Sequence, residues 1–282
     1  MKKRIFTFMV AFAAIVTGAQ AQVAIDETNF PDANFRAWLM NSENINGYGV
    51  DGTLTDAEID AVKEINVDNM SISDLTGIKH FTSLENLSCR YNLMTSLDLS
   101  DMKSLLLVVC DYNPLTSLNV TGCLAMKRLL CRKTQLTSID VSGCSEMYEL
   151  SCGQNELTTI NVTGCSSLVT LACCNNHLRG AYVDALIDCL PTVTNGELII
   201  VMNELADGNE MTAYQVAAAK AKGWQSKCWE ENYGWVDYLG TGINAIESDK
   251  QVNDNWYSLD GRRIEQPMKG VYVTKGRKVV IK

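Results

Sequence analysis

Cys89, Cys110, Cys131, Cys152 and Cys173 follow one another at an unbroken interval of 21 residues. A chain with that regularity is built by stacking one short unit on the next. The neighbouring residues keep the same frame. Leu84, Leu87, Cys89 and Asn92 return as Leu105, Val108, Cys110 and Asn113, then as Met126, Leu129, Cys131 and Thr134. Met147, Leu150, Cys152 and Asn155 follow, and Leu168, Leu171, Cys173 and Asn176 complete the set. A second register runs in phase through Leu97, Leu118, Ile139 and Ile160. A third runs through Cys123, Cys144 and Cys165, each preceded by glycine.

Each unit has two short alternating apolar segments, too few to bury a core alone. Stacked units share one interior, so each is stable only between neighbours. Leu87 and Cys89 alternate with the outward Asn86, Ser88 and Arg90, which is the period of a strand. The asparagine column falls where the chain turns away from that strand. An amide there is both donor and acceptor, and so satisfies backbone groups of adjacent turns. Thr134 interrupts the column and predicts a looser third turn.

These residues resemble the leucine-rich repeat, L-x-x-L-x-L-x-x-N, with cysteine in the third apolar position, over residues 62–178. The recurring Thr-Gly-Cys or Ser-Gly-Cys makes the chain similar to the cysteine-ladder, internalin J-like kind of bacterial secreted and surface protein. The resemblance implies an α/β repeat solenoid: a right-handed coil of parallel β-strands closed by helical caps. For function it implies only a binding surface, because the same scaffold serves many partners.

Eleven cysteines in an exported chain would ordinarily suggest disulfides. Here eight of the eleven fall on the two 21-residue columns, where a medium-sized apolar side chain is required and a thiol suffices. Stacked strands lie about 4.8 Å apart, whereas a relaxed bridge prefers a Cβ separation of about 3.8 Å. The columns therefore read as ladders of thiols. Cys189 and Cys228 lie outside the frame, and a bridge between them has no support in the spacing. Cys173-Cys174-Asn175-Asn176-His177 is the one cluster with metal-like spacing. Cys173 and Asn176 already belong to the repeat, and zinc usually takes four ligands. No metal or other cofactor is expected.

The N-terminus reads as a signal peptide over residues 1–21. Lys2, Lys3 and Arg4 precede the apolar run Ile5 to Val16, and Ala19-Gln20-Ala21 has the small-x-small pattern of a cleavage site. The run is shorter than the ~18 apolar residues that suggest a membrane span, so no transmembrane segment is expected. Cleavage after Ala21 would leave a secreted or outer-surface chain. Losing three basic residues takes the net charge from −9 to −12, which argues against a nucleic-acid partner.

Residues 22–61 read as an N-terminal cap, with a turn at Asn29 to Asp32 leading into an amphipathic helix through Phe35, Trp38 and Leu39. Asp51 to Glu58 resembles the second half of an EF-hand loop. Gly47 and Gly49 stand where that loop needs side-chain oxygens, leaving a decayed loop that caps a helix as the alternative to a calcium site. Thr55 and Glu58 are spaced as a capping box. The repeats span 62–180, and residues 181–239 read as helix-bearing closing turns with their tryptophans in the cap core. Residues 240–250 read as a linker and 251–282 as a short β-rich tail. Residues 262–282 carry seven basic side chains against Glu265 alone, leaving −18 on 22–261. The tail is similar to the ends of type IX secretion sorting domains, though shorter. A shortened address tag and an accessory β-module both fit it.

Alternation also lists the concave face. One outward column is Ser88, Val109, Leu130, Ser151 and Ala172. Another is Arg90, Asp111, Arg132, Gly153 and Cys174, and beside it runs Tyr91, Tyr112, Lys133, Gln154 and Asn175. Leu107, Val109 and Leu130 form an apolar patch beside Tyr91 and Tyr112, edged by Arg128, Arg132 and Lys133. Aromatic and arginine neighbours around an apolar centre are the composition of a protein-binding hot spot. The bland alternative is an ordinary solvent-facing strand surface. The expected function is non-catalytic binding or adhesion by a monomer, with an extracellular protein as partner. A glycan stacking on Tyr91 and Tyr112 is the second reading. With His80 and His177 as the only histidines, no triad-like arrangement is apparent and a hydrolase is the least supported class.

Overall fold

The computed structural model describes residues 22–202, 207–230 and 234–240, together with the strands of the tail. The expected signal peptide over 1–21 and residues 241–250 of the expected linker lie outside the described residues.

The N-terminal cap contains β1 (Gln22–Ala24), α1 (Ala33–Leu39), β2 (Thr53–Thr55) and α2 (Asp56–Ala61), with β1 antiparallel to β2. Thr55 and Glu58 form a complete capping box: the Glu58 carboxylate accepts the Thr55 N–H at 2.8 Å while Thr55 Oγ1 accepts the Glu58 N–H at 3.3 Å. That pairing places Glu58 in the first turn of α2. The cap docks on the first repeat through Phe30, whose ring sits so close to Gly77 that a Cβ there would lie 2.3 Å away. Gly77 has φ +99°, a conformation that only glycine takes without strain.

The repeats then form one wall from β3 (Glu64–Asn66), β4 (Asn86–Ser88), β6 (Leu107–Val109), β8 (Arg128–Leu130), β10 (Glu149–Ser151) and β12 (Thr170–Ala172). All are parallel and in register, so Asn86, Leu107, Arg128, Glu149 and Thr170 stand side by side. Between them lie β5 (Ser96–Asp98), β7 (Ser117–Asn119), β9 (Ser138–Asp140) and β11 (Thr159–Asn161), which pair as β5–β7 and β9–β11 on the return path of each coil. Leu87, Val108, Leu129, Leu150 and Leu171 fill one internal file. The five cysteines from Cys89 to Cys173 fill the next, with 0% exposure throughout. Each full burial of a leucine-sized side chain contributes roughly 1.5–3 kcal/mol, and a coil realises it only when the next coil covers it.

The eight cysteines of the two columns are all unbridged thiols. The second column hydrogen-bonds inward, with Cys123 Sγ 3.0 Å from the Leu99 carbonyl and Cys165 Sγ 3.2 Å from that of Val141. The asparagines link neighbouring coils as their position implied. Asn155 Nδ2 donates to the carbonyls of Cys131 and Cys152 at 2.8 and 3.1 Å, and its Oδ1 accepts the Leu136 N–H at 3.3 Å. Thr134 bonds the Cys131 carbonyl at 3.3 Å and the Asn155 side-chain oxygen. It has no second arm to reach the coil before.

The sheet does not stop at the last 21-residue unit. α3 (Ala181–Cys189) leads into β13 (Gly196–Val201), and α4 (Ala213–Ala221) leads into β14 (Trp224–Glu230). Both strands extend the parallel wall, and β15 (Gly234–Asp237) closes it antiparallel to β14. Asn209 continues the amide column, donating to Cys173 and Ile200 carbonyls at 2.7 and 2.8 Å and accepting the Leu178 N–H at 2.8 Å. Trp224 lies at the start of β14 with 0% exposure. The tail pairs as β17 (Arg263–Ile264), β16 (Trp256–Tyr257), β18 (Gly270–Thr274) and β19 (Arg277–Ile281), a four-stranded antiparallel sheet in that order.

Candidate partner-binding face

The outward side chains of the parallel wall stand in columns one coil apart. Leu107, Val109 and Leu130 lie adjacent across β6 and β8 through the pairs Leu107↔Arg128 and Val109↔Leu130. All three are half-buried. They form a low apolar centre with no side chain of their own coils covering it completely.

The two tyrosines sit at the C-terminal edge of the strands, where every coil turns. Asn69, Tyr91, Tyr112, Lys133, Gln154 and Asn175 all have φ between +53° and +58°, an unusual backbone for a residue with a Cβ. The shared conformation aims successive side chains in one direction. Tyr91 and Tyr112 consequently stack, with ring centroids 4.2 Å apart and planes inclined by 20°. Lys133 follows in the next coil with Nζ 4.7 Å from the Tyr112 centroid, within cation–π range. The neighbouring Lys133 ammonium and Tyr91 hydroxyl lower the Tyr112 phenol below its ordinary value, and the Tyr112 hydroxyl beside it raises that of Tyr91.

The arginines are held rather than free. Arg128 Nε lies 2.7 Å from Glu149 in the next coil. Arg132 meets Asp111 in the coil before, with Nη2–Oδ2 at 2.9 Å and its backbone N–H on Oδ1 at 2.6 Å. Asp68 and Arg90 repeat the arrangement at the first coil, with backbone and guanidinium contacts of 2.8, 2.9 and 3.0 Å.

The structure corrects two outward columns. Asp111 is only 1% exposed, and Ser151, Gly153 and Cys174 are also buried. Asp111 folds beneath Arg132 to take its backbone N–H. Gly153 lies under Cys174, whose carbonyl and Sγ would be 3.0 and 3.1 Å from a Cβ at that position. The eight sequence-derived residues stand on neighbouring strands and turns of the wall, from Tyr91 to Lys133.

One column on this wall was not drawn from the sequence. It precedes each strand and contains Glu85, Leu106, Lys127, Tyr148 and Val169. Tyr148 and Val169 are 41% and 39% exposed, and Lys127 is exposed. The same 21-residue count, taken one position earlier, finds it.

The remaining candidates separate. His177 Nε2 lies 2.6 Å from Glu156 on the surface, while Cys173 points into the core. His80 packs near Phe30, with ring centroids 5.6 Å apart. Among the described residues, no group of three or more His, Cys, Asp or Glu is placed to hold a metal ion. No helix among them is long and apolar enough to cross a membrane.

No described protein family and no curated protein matches the chain. Solved structures do. The functional domain of internalin J (InlJ) from Listeria monocytogenes, which includes a cysteine ladder, is similar over 71% of this chain at 26% identity with a TM-score of 0.53. The chain spans 41% of that protein's length. Internalin C2 of the same organism is similar over 74% of this chain and 98% of its own, at 18% identity and a TM-score of 0.45. In fold, the chain is an internalin-like leucine-rich-repeat solenoid.

Proposed function

We propose that this chain is a non-catalytic, secreted or cell-surface binding protein that engages an extracellular protein through the open face of its parallel sheet, as a monomer. The observation that carries the reading is the contiguous surface of Leu107, Val109 and Leu130 beside the Tyr91–Tyr112 stack, on a rigid wall. Anchors whose rotamers are already set lose little entropy on binding, which favours affinity. The separation of His80 and His177, each packed or paired on its own, weighs against histidine-dependent hydrolysis.

Glycan recognition is the second reading, and the tyrosine geometry weighs against it. Tyr112 has one face on Tyr91 and Lys133 over its ring, leaving chiefly the outer face of Tyr91 for a sugar.

The test compares the chain with its Leu130→Glu/Tyr112→Glu variant on immobilised extracellular-matrix and cell-surface proteins and on a glycan array. Protein binding lost in the variant, with an unchanged melting curve, is expected. Binding that survives the double substitution would falsify the proposal. Glycan binding abolished by Tyr91→Ala would establish the second reading instead.

A further inference from the structure

The third coil concentrates positive charge within the acidic segment 22–261. Residues 22–261 carry a net −18, yet Lys127, Arg128, Arg132 and Lys133 all fall within one coil of the binding face. Their positions fix which of them are available. Arg128 is neutralised by Glu149 and Arg132 by Asp111, so neither presents an unbalanced charge. Lys127 forms no ion pair among the described residues, and Lys133 is held over Tyr112 with no carboxylate partner among them. Both lysines are exposed. They bracket Leu130 from opposite ends of β8, separated by six residues, a span of at most ~20 Å for an extended chain.

Between them the ion-paired Arg128 and Arg132 flank an apolar centre on the wall. Leu107, Val109 and Leu130 occupy it, with Tyr148 on the Lys127 side and Tyr112 on the Lys133 side. A polyanion such as a sulfated polysaccharide would gain from the two lysines but would bring charge onto that centre, where desolvation is unfavourable. A protein segment with an apolar middle and carboxylates at both flanks satisfies all of it. We propose that the partner of this face is an acidic protein segment in which Asp or Glu residues flank an aliphatic or aromatic centre, its carboxylates meeting Lys127 and Lys133 and its centre meeting Leu130. The inference rests on the binding-face reading and adds the chemistry of the partner. Charge complementarity of this kind sets orientation and association rate as well as partner choice. Residues 22–261 otherwise repel an acidic partner, which favours encounters at this coil over the rest of that segment.

The experiment pans a random 16-residue peptide phage library against the mature chain, and against its Lys127→Glu/Lys133→Glu and Leu130→Glu/Tyr112→Glu variants. Synthetic versions of the enriched peptides are then titrated. Peptides with acidic flanks around an apolar centre are expected, weakened about tenfold or more by the lysine reversals and several-fold by raising salt from 50 to 300 mM, as exposed charge pairs require. Peptides without acidic enrichment, or indifferent to the lysine reversals, overturn the proposal. If such peptides are still lost in the Leu130→Glu/Tyr112→Glu variant, the binding face stands and only the partner's charge is wrong. Retention on heparin that the lysine reversals abolish, with no peptide enriched, also overturns it in favour of an anionic polysaccharide. No enrichment of any kind over the Leu130→Glu/Tyr112→Glu control overturns both readings.

Discussion

The Asp111 carboxylate lies beneath Arg132, taking that residue's backbone N–H on one oxygen at 2.6 Å and its guanidinium on the other at 2.9 Å. The acid is buried to 1% exposure while the arginine side chain remains 49% exposed. The pair therefore joins two coils at the edge of the binding face, and it does so asymmetrically. Removing the arginine leaves a buried carboxylate with its backbone donor alone. Removing the acid frees a cation that water can solvate.

Arg132→Met is accordingly expected to cost more than a surface ion pair would, about 1–2 kcal/mol after allowance for the exposed guanidinium. Asp111→Asn keeps one acceptor for the backbone N–H and is expected to cost less. Urea unfolding midpoints of the two variants check the order. Equal losses, or a larger loss for Asp111→Asn, would show that the backbone bond rather than the ion pair holds the edge.

Thr134 interrupts a column in which Asn113, Asn155, Asn176 and Asn209 each donate to two carbonyls. Thr134→Asn restores a second donor that reaches the Cys110 carbonyl in the coil before. One additional buried hydrogen bond stabilises by about 1 kcal/mol, which for a chain of this size raises Tm by roughly 2–4 °C. Asn155→Leu removes both donors and leaves the carbonyls of Cys131 and Cys152 less satisfied, so a larger loss of Tm is expected. A destabilised Thr134→Asn chain would mean that the third coil is adapted to threonine by its packing.

The repeated wall was legible because the residues that set the 21-residue count are the ones that fill the core. Leu87, Cys89 and Asn92 each do the same physical work one coil on, so spacing alone identified the strand, the interior and the amide column. Where a unit lengthens to include a helix, the count fails although the wall continues. Thr170 pairs with Glu197 rather than with a residue 21 positions on, and Asn209 joins the column after a longer excursion. Alternation also assigns only a direction to a side chain. It placed Asp111 outward, but a short carboxylate beside an arginine folds under it to reach a backbone donor and is buried. The stacking of Tyr91 on Tyr112 depends on the positive φ shared by their column, a conformation that suits Asn69 and Asn175 but that tyrosine does not announce.

The thiol ladder makes a chemical prediction. Burial pushes the thiols up, Cys123 to about 11 and Cys165 to about 12, and Cys89, Cys110, Cys131, Cys152 and Cys173 rise for the same reason. A thiolate is the reactive form, so the folded chain should react with Ellman's reagent near pH 8 only slowly, Cys189 being the one half-buried cysteine. In denaturant all eleven should react at once. Cys131→Ser would place a hydroxyl in the apolar file at a cost of roughly 1–3 kcal/mol, more than Cys131→Ala if polarity rather than volume dominates. Rapid labelling of several ladder cysteines in the native chain would contradict the closed interior.

Asp32 ties the N-terminal cap to the repeats and gives the fold an acid limit. Its Oδ1 accepts the N–H groups of Asn34 and Phe35 at 2.9 and 3.0 Å, starting α1, and its Oδ2 accepts the N–H and hydroxyl of Ser73 at 2.8 and 2.9 Å. Burial works to raise this carboxyl, but the bonds from Ser73, Phe35 and Asn34 outweigh it and hold it below its ordinary value. Because the folded value is depressed, the contribution is complete above the unfolded carboxylate pKa of about 3.9. It is lost as pH falls through the lower folded value. Asp32→Asn turns one acceptor into a donor facing Ser73 and should remove about 1–3 kcal/mol at pH 7. The difference between Asp32→Asn and the unaltered chain should therefore shrink as pH is lowered from 5 to 2. Thermal melts across that range decide it, and a difference that stays constant or grows toward low pH would place the cap's anchor elsewhere.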